Sequence, residues 1–166
     1  MSASAENEKI FVTLITANQA LIRKVCRIYA LSADDRNDLF QEIVIQLWKA
    51  FPGFREESKF STWMYRVALN TAISYRRREQ RRRFADVELP DNGFNGHSEH
   101  KEQLQLLYEV IAGLEKMERA LIFLHLEGYR YAEIAEISGL SESNVSTKIS
   151  RIKKHLVKEM EKINAV

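Results

Sequence analysis

The sequence predicts an all-α chain of two small helical domains joined by a flexible linker. Three observations predict it. Only two Pro and six Gly interrupt the 166 residues, so few positions break a helix. Apolar residues recur at three- and four-residue steps, the period of a helix face, and no stretch reads as a strand. Residues 84–101 hold Pro90, Asn92, Gly93, Asn95 and Gly96 without a helical period, which marks a linker. Leu, Ile, Val and Phe supply 47 residues. That is enough to bury a core, but not the core of a large multidomain enzyme.

The first domain is expected over residues 5–83. Ile10, Leu14, Ala17, Leu21, Val25 and Ile28 form one apolar stripe. A second helix begins near Ser32 or Asp34, either a fitting N-cap. Its stripe is Phe40, Ile43, Val44, Leu47, Trp48 and Phe51, and Pro52-Gly53 stops it. After a loop over residues 54–60, Ser61 or Thr62 caps a third helix that runs from Trp63 into the arginine run. The second domain is expected over residues 102–163. Leu104, Leu107, Tyr108, Ile111 and Leu114 give one helix. Residues 117–127 give another, closed by Gly128. Tyr131 to Ser138 is a short helix with Ile134, Ala135 and Ile137 inward. Gly139-Leu140-Ser141 is a turn, and a longer helix runs from Glu142 to about Met160.

Several function classes are excluded or disfavoured. The longest apolar run is Ala120 to Leu124, far short of the ~18 residues that span a bilayer. The start, MSASAENEK, has no apolar signal segment. A soluble, cytoplasmic protein without membrane insertion is expected. The single cysteine, Cys26, excludes an internal disulfide framework and is expected at the edge of the buried stripe. No phosphate-cradling glycine loop occurs. His97 and His100 lack the further rigid ligands that a metal site needs. No cofactor and no metal are expected.

Net charge is only +2, but it is unevenly spread. Residues 76–83 carry six Arg against one Glu, the linker is acidic, and Lys148 to Lys162 is again basic. The C-terminal pattern AEIAEISGLSESNVSTKISRIKKHL joins a short helix bearing the small Ala135, a Gly turn and a second helix. That is the outline of a helix-turn-helix. Val145, Ile149, Ile152 and Leu156 fall within about 60° on a helical wheel and form its buried seam. Ser143, Thr147, Ser150, Arg151 and Lys154 lie opposite, flanked by Asn144 and Lys148. Ser141, Ser143, Asn144, Ser146, Thr147, Lys148, Arg151 and Lys154 are therefore the candidate duplex contacts. The N-terminal ones are suited to base edges, and Arg151 and Lys154 to phosphates.

In the first domain KFSTWMYRVALNTAISYRRRE mixes aromatic and basic residues. Phe60, Trp63, Tyr65 and Tyr75 offer faces on which unstacked bases can rest, beside Arg66 and Arg76 to Arg78. Residues 35–78, with Asp38-Leu39-Phe40-Gln41-Glu42, Leu47-Trp48, Phe60-Ser61-Thr62-Trp63-Met64-Tyr65-Arg66, Ala68 and Asn70, resemble region 2 of bacterial sigma-70 family factors. Residues 114–156 resemble region 4. The short linker between them resembles the extracytoplasmic-function (ECF) branch. Two departures stand out: Ser74 where relatives often carry Asp, and Leu114-Glu115 where many carry Leu-Pro.

The resemblance implies a non-enzymatic factor that binds core RNA polymerase and directs initiation at promoters. It implies polymerase docking by Asp38, Leu39, Gln41, Glu42, Ile45, Gln46 and Lys49. It implies recognition and melting of the −10 element by Arg55, Lys59, Phe60, Ser61, Thr62, Trp63, Arg66, Asn70, Arg76 and Arg77. Reading of the duplex −35 element falls to the helix that starts at Glu142, and an anti-sigma factor is implied as a further partner. Two other readings compete. One is an autonomous helix-turn-helix regulator whose first domain dimerises or senses an effector. The other is a nucleic-acid-processing enzyme using Asp34, Asp35 and Asp38.

Overall fold

The structure is a computed structural model that describes residues 3–30, 32–83 and 99–165, without the side chains of residues 3, 76–83 and 99–101. Every regular element among the described residues is helical. The chain divides into two compact units, Met1–Asn92 and Gly93–Val166. Residues 84–98 of the expected linker, including the His97 position, lie outside the described residues.

The first unit is three mutually packed helices: α1 (Ala3–Tyr29), α2 (Ala33–Ala50) and α3 (Phe60–Arg83). The Ser32 hydroxyl caps α2 by accepting from the Asp35 N–H at 3.0 Å, so Ser32 rather than Asp34 starts the helix. Asp34 and Asp35 occupy its first turn, where the positive end of the helix dipole favours carboxylates. Helix α2 buries Leu39, Ile43 and Leu47 completely, each worth ~1.5–3 kcal/mol. A 3₁₀ turn over Phe51–Gly53 ends it, with Pro52 supplying the break.

The core of α1 keeps Val25 and Ile28 of the expected stripe but is otherwise turned: Phe11, Ile15, Ile22 and Cys26 are buried, while Ile10 is 45% exposed. Apolar residues stand in adjacent pairs here (Ile10-Phe11, Leu14-Ile15, Leu21-Ile22), so periodicity admits either phase. Phe11 decides it by packing edge-on against Trp48 at 4.9 Å and Phe51 at 5.2 Å. Arg23 lies over the Phe40 ring, 4.6 Å from its centroid, and ties α1 to α2.

The second unit comprises α4 (Glu99–Ala112), α5 (Lys116–Leu126), α6 (Tyr131–Ser138) and α7 (Glu142–Asn164), with α7 packed on the other three. Leu104, expected inward, is exposed, whereas Ile111 and Leu114 are buried. Ala135 is half-buried rather than enclosed, and α7 runs one turn past Met160. The buried guanidinium of Arg119 donates through Nε and Nη2 to the Leu114 carbonyl at 3.2 and 2.9 Å. That two-point contact fixes the α4–α5 corner.

Burial pushes the Cys26 thiol up to about 12, so it stays protonated at neutral pH. A thiol reagent such as DTNB should react slowly with the native protein and rapidly in urea. Equal rates would show that the first unit does not enclose Cys26.

Candidate functional site

The site begins with what α6 and α7 must bury. Ile134 and Ile137 of α6 and Val145, Ile149, Ile152 and Leu156 of α7 point inward. Gly139 ends α6 in the left-handed region, φ 76°, and its N–H donates to the Ala135 carbonyl at 2.9 Å. Positive φ there suits glycine because no Cβ meets the backbone. Two residues on, the Ser141 hydroxyl accepts from the Asn144 N–H at 3.2 Å and caps α7. The turn is thus pinned on both sides, and the start of α7 is held rigidly.

All eight expected duplex-contacting residues of this unit are exposed: Ser141, Ser143, Asn144, Ser146, Thr147, Lys148, Arg151 and Lys154. Ser141 serves as the cap, which leaves its hydroxyl proton to donate outward. Lys153 and Lys158 extend the basic face. Near the far end, the Lys162 ammonium donates to Glu159 at 2.7 Å and holds that carboxyl below the usual carboxylate range. The acid is therefore paired rather than opposed to the basic face. His125 on α5 lies 5.8 Å from the Tyr131 ring. Burial and then the Lys153 charge lower its pKa, so it is neutral at pH 7 and adds no charge to the groove-facing side.

In the first unit the expected docking residues separate into three groups. Asp38, Gln41, Ile45 and Lys49 are exposed and follow one stripe of α2. Glu42 and Gln46 are half-buried, with Gln46 Nε2 donating to Glu42 Oε1 at 2.8 Å. Leu39 is fully buried; it belongs to the core seam and cannot face a partner. Trp48 was expected inside but is 41% exposed beside Ile45, itself 47% exposed. Its place three residues after Ile45 and seven after Gln41 was the signal that it shares their face.

The residues expected at single-stranded DNA also divide. Arg55, Lys59, Arg66 and Asn70 are exposed. Phe60, Ser61 and Trp63 are half-buried. Thr62 is buried and so is Tyr65; both support α3 from within, and Tyr65 offers no face to a base. Helix α3 starts at Phe60, with the Lys59 carbonyl accepting from the Trp63 N–H at 3.2 Å. Ser61 and Thr62 therefore lie in its first turn rather than ahead of it. Arg76 and Arg77 continue the helix backbone, and their side chains lie outside the described residues.

An aromatic cluster anchors the loop of residues 54–59 at both ends. Phe54 stands 5.0 Å from Trp63, 5.6 Å from Phe60 and 6.4 Å from Phe51. Phe60 and Trp63 are 5.4 Å apart. Such ring pairs contribute ~0.5–1.5 kcal/mol each. Phe54 joins this cluster because its position just after Pro52-Gly53 returns it toward the end of α2. Within the loop Glu56 holds φ 55°, a strained backbone for a non-glycine residue. Between α2 and α3 a cleft of about 240 Å³ is lined by Glu42, Gln46, Asn70, Thr71, Ser74 and Tyr75. It brings two expected docking residues against one expected −10 residue, a juxtaposition the sequence spacing did not reveal.

Residues 14–82 match the Sigma-70 region 2 family and residues 104–156 match Sigma-70 region 4. The chain belongs to the sigma-70 family. With its likeness to ECF relatives over most of its length, it is an ECF-type sigma factor, which directs promoter-specific transcription by RNA polymerase. It is 29% identical to the ECF RNA polymerase sigma-E factor of Haemophilus influenzae, over 87% of this chain and 84% of that protein. It is 25% identical to RNA polymerase sigma factor SigV of Bacillus subtilis, over 91% of each. The sigma factor RpoE bound to the anti-sigma factor NepR from Bartonella quintana shares the fold, with TM-score 0.76, 18% identity and coverage of 92% of this chain and 98% of that one. The autonomous regulator is not favoured, because the first unit matches region 2. Among the described residues no helix is long and apolar enough to cross a membrane, and no three His, Cys, Asp or Glu side chains are grouped to hold a metal.

Ser141→Ala should lower the stability of the second unit by about 1 kcal/mol, the usual worth of an N-cap, and Ser141→Asp should restore it. Both tryptophans lie in the first unit. The far-UV CD transition in urea should therefore shift while the Trp-fluorescence transition stays. A matching shift in fluorescence would show that the cap does not act locally.

Proposed function

We propose a division of tasks among the exposed faces of this sigma factor. The α2 stripe of Asp38, Gln41, Ile45 and Lys49, extended by Trp48, docks on core RNA polymerase. Glu42 and Gln46 stand at its margin. A pair of exposed apolar groups within a charged stripe suits a protein interface. Arg66 and Asn70 on α3, with Arg55 and Lys59 of the loop, receive the −10 strand beside the half-buried rings of Phe60 and Trp63. Unstacking a base costs a few kcal/mol, and stacking on a ring returns ~1–3 kcal/mol. The opening therefore needs no ATP once polymerase holds the flanking duplex. Arg76 and Arg77 follow on the same helix as phosphate partners.

The face of α7 reads the −35 duplex. Ser143, Asn144, Thr147 and Lys148 lie toward the bases, and Ser141, Arg151 and Lys154 toward phosphates. Synthesis of RNA belongs to the core enzyme, and the chain acts in the cytoplasm, where polymerase and promoter are found. The solved structures it resembles hold NepR and the cytosolic domain of CnrY, which supports an anti-sigma factor as a further partner. The observation that carries the reading is the set of hydroxyl, amide and cationic side chains exposed on α7 behind a wholly apolar seam.

The test is transcription in vitro: the protein is added to core polymerase on a genomic fragment library and start sites are mapped. Defined starts that share upstream −35 and −10 sequences are expected. Absence of any defined start would overturn the reading. On such a promoter Arg151→Ala should flatten the salt dependence of binding by about 0.9 in log–log slope. An unchanged slope would remove Arg151 from the phosphates. Ile45→Glu should weaken core binding about tenfold or more, some 1.4 kcal/mol, with an unaltered CD spectrum. Retained affinity would remove Ile45 from the docking stripe.

A further inference from the structure

We propose that Asn144 specifies an adenine in the major groove of the −35 element. The inference rests on the −35 reading above and deepens it from a face to one base. The exposed side chains in the first two turns of α7 are Glu142, Ser143, Asn144, Ser146, Thr147 and Lys148. Their chemistry is unequal. A hydroxyl both donates and accepts through one atom, so Ser143, Ser146 and Thr147 tolerate any base edge. Lys148 is a flexible point charge that guanine and phosphate both satisfy. Glu142 accepts only. Asn144 alone presents a donor and an acceptor side by side in one plane. In the major groove adenine offers the complement, with N7 accepting and the N6 amino group donating. Guanine shows two acceptors there and cannot satisfy the amide carbonyl.

The backbone around Asn144 adds preorganisation. Its N–H is held by the Ser141 hydroxyl at 3.2 Å, and the next N–H, of Val145, donates to the Ser141 carbonyl at 3.0 Å. Val145 itself is fully buried, so the residue adjoining Asn144 is locked into the core. Among the described residues no group hydrogen-bonds the Asn144 side-chain amide, which is exposed. A short side chain on a pinned turn loses little freedom on binding, which is the condition for discrimination by two parallel hydrogen bonds. Arg151 lies seven residues on, ~10 Å along the axis, so the pairing at Asn144 does not share its base with that guanidinium.

The test uses the full chain with core polymerase on a promoter from the transcription experiment, with every base pair of the −35 element replaced in turn. For the native chain, replacing one particular adenine should weaken binding about 5- to 150-fold. Asn144→Ala should abolish the preference at that position and leave the preferences elsewhere. Asn144→Asp keeps the size and suits a helix N-terminus, so it guards against a folding defect. It should move the preference at that position from adenine toward cytosine, whose N4 amino group a carboxylate accepts. A base-preference profile unchanged in both variants, or a uniform loss across all sequences with a flatter salt slope, would overturn the proposal. Either result on a promoter that still gives defined starts fails Asn144 alone and leaves the sigma-factor reading standing.

Discussion

A helix that buries one stripe has no freedom over what its other side shows, and this constraint governs both units. Leu39, Ile43 and Leu47 at four-residue steps fix α2 in the core. With 3.6 residues per turn, Asp38, Gln41, Ile45, Trp48 and Lys49 must then face out. In α7 the seam of Val145, Ile149, Ile152 and Leu156 leaves Ser143, Thr147, Ser150 and Lys154 on the opposite side. The α7 face could not be shifted by one residue either way without driving a charge or an amide into the core, where an unpaired polar group costs several kcal/mol.

Seams set rotation, and the ends of helices set position. Gly139 and Ser141 fix where α7 begins relative to α6, so the side chains of its first turn reach outward from a rigid base. In the first unit Pro52-Gly53 and the rings of Phe51, Phe54, Phe60 and Trp63 do the same for the loop before α3. The α7 device is local hydrogen bonding with a left-handed glycine. The loop device is ring packing between residues that follow one another closely. The rigid start suits base edges, which reward fixed donors and acceptors. The aromatic border suits extruded bases, which reward π-faces.

Much of this was legible in the residues. The seam of α7, the bounds of α6 and the turn at Gly139 follow from apolar spacing and one glycine. The face of α2 was legible apart from two members. Leu39 and Phe40 are adjacent apolar residues, and only packing against α1 and α3 selects Leu39 for the seam. Trp48 completes an apolar stripe on paper, but its bulk is shared between the edge of Phe11 and solvent. In α1 the doubled apolar pairs left two phases open until Phe11 met Trp48 and Phe51. Tyr65 and Thr62 read as site residues because their neighbours are, yet they fall on the inner side of α3. Arg119 carried no signal, since a buried guanidinium is recognised only once the Leu114 carbonyl lies beneath it. The cleft joining Glu42, Gln46 and Asn70 needed two helices brought side by side.

The most direct measurement of the central claim is a photo-crosslinking scan of the polymerase–promoter complex, with a benzophenone side chain placed at each residue of α2 from 38 to 49 and of α7 from 143 to 154. The account predicts crosslinks to polymerase that peak at 38, 41, 45 and 49, crosslinks to DNA that peak at 143, 144, 147, 148, 151 and 154, and silence at the seam positions of both helices. Crosslinks that ignore the helical period, or that exchange DNA for polymerase between the two helices, would contradict it.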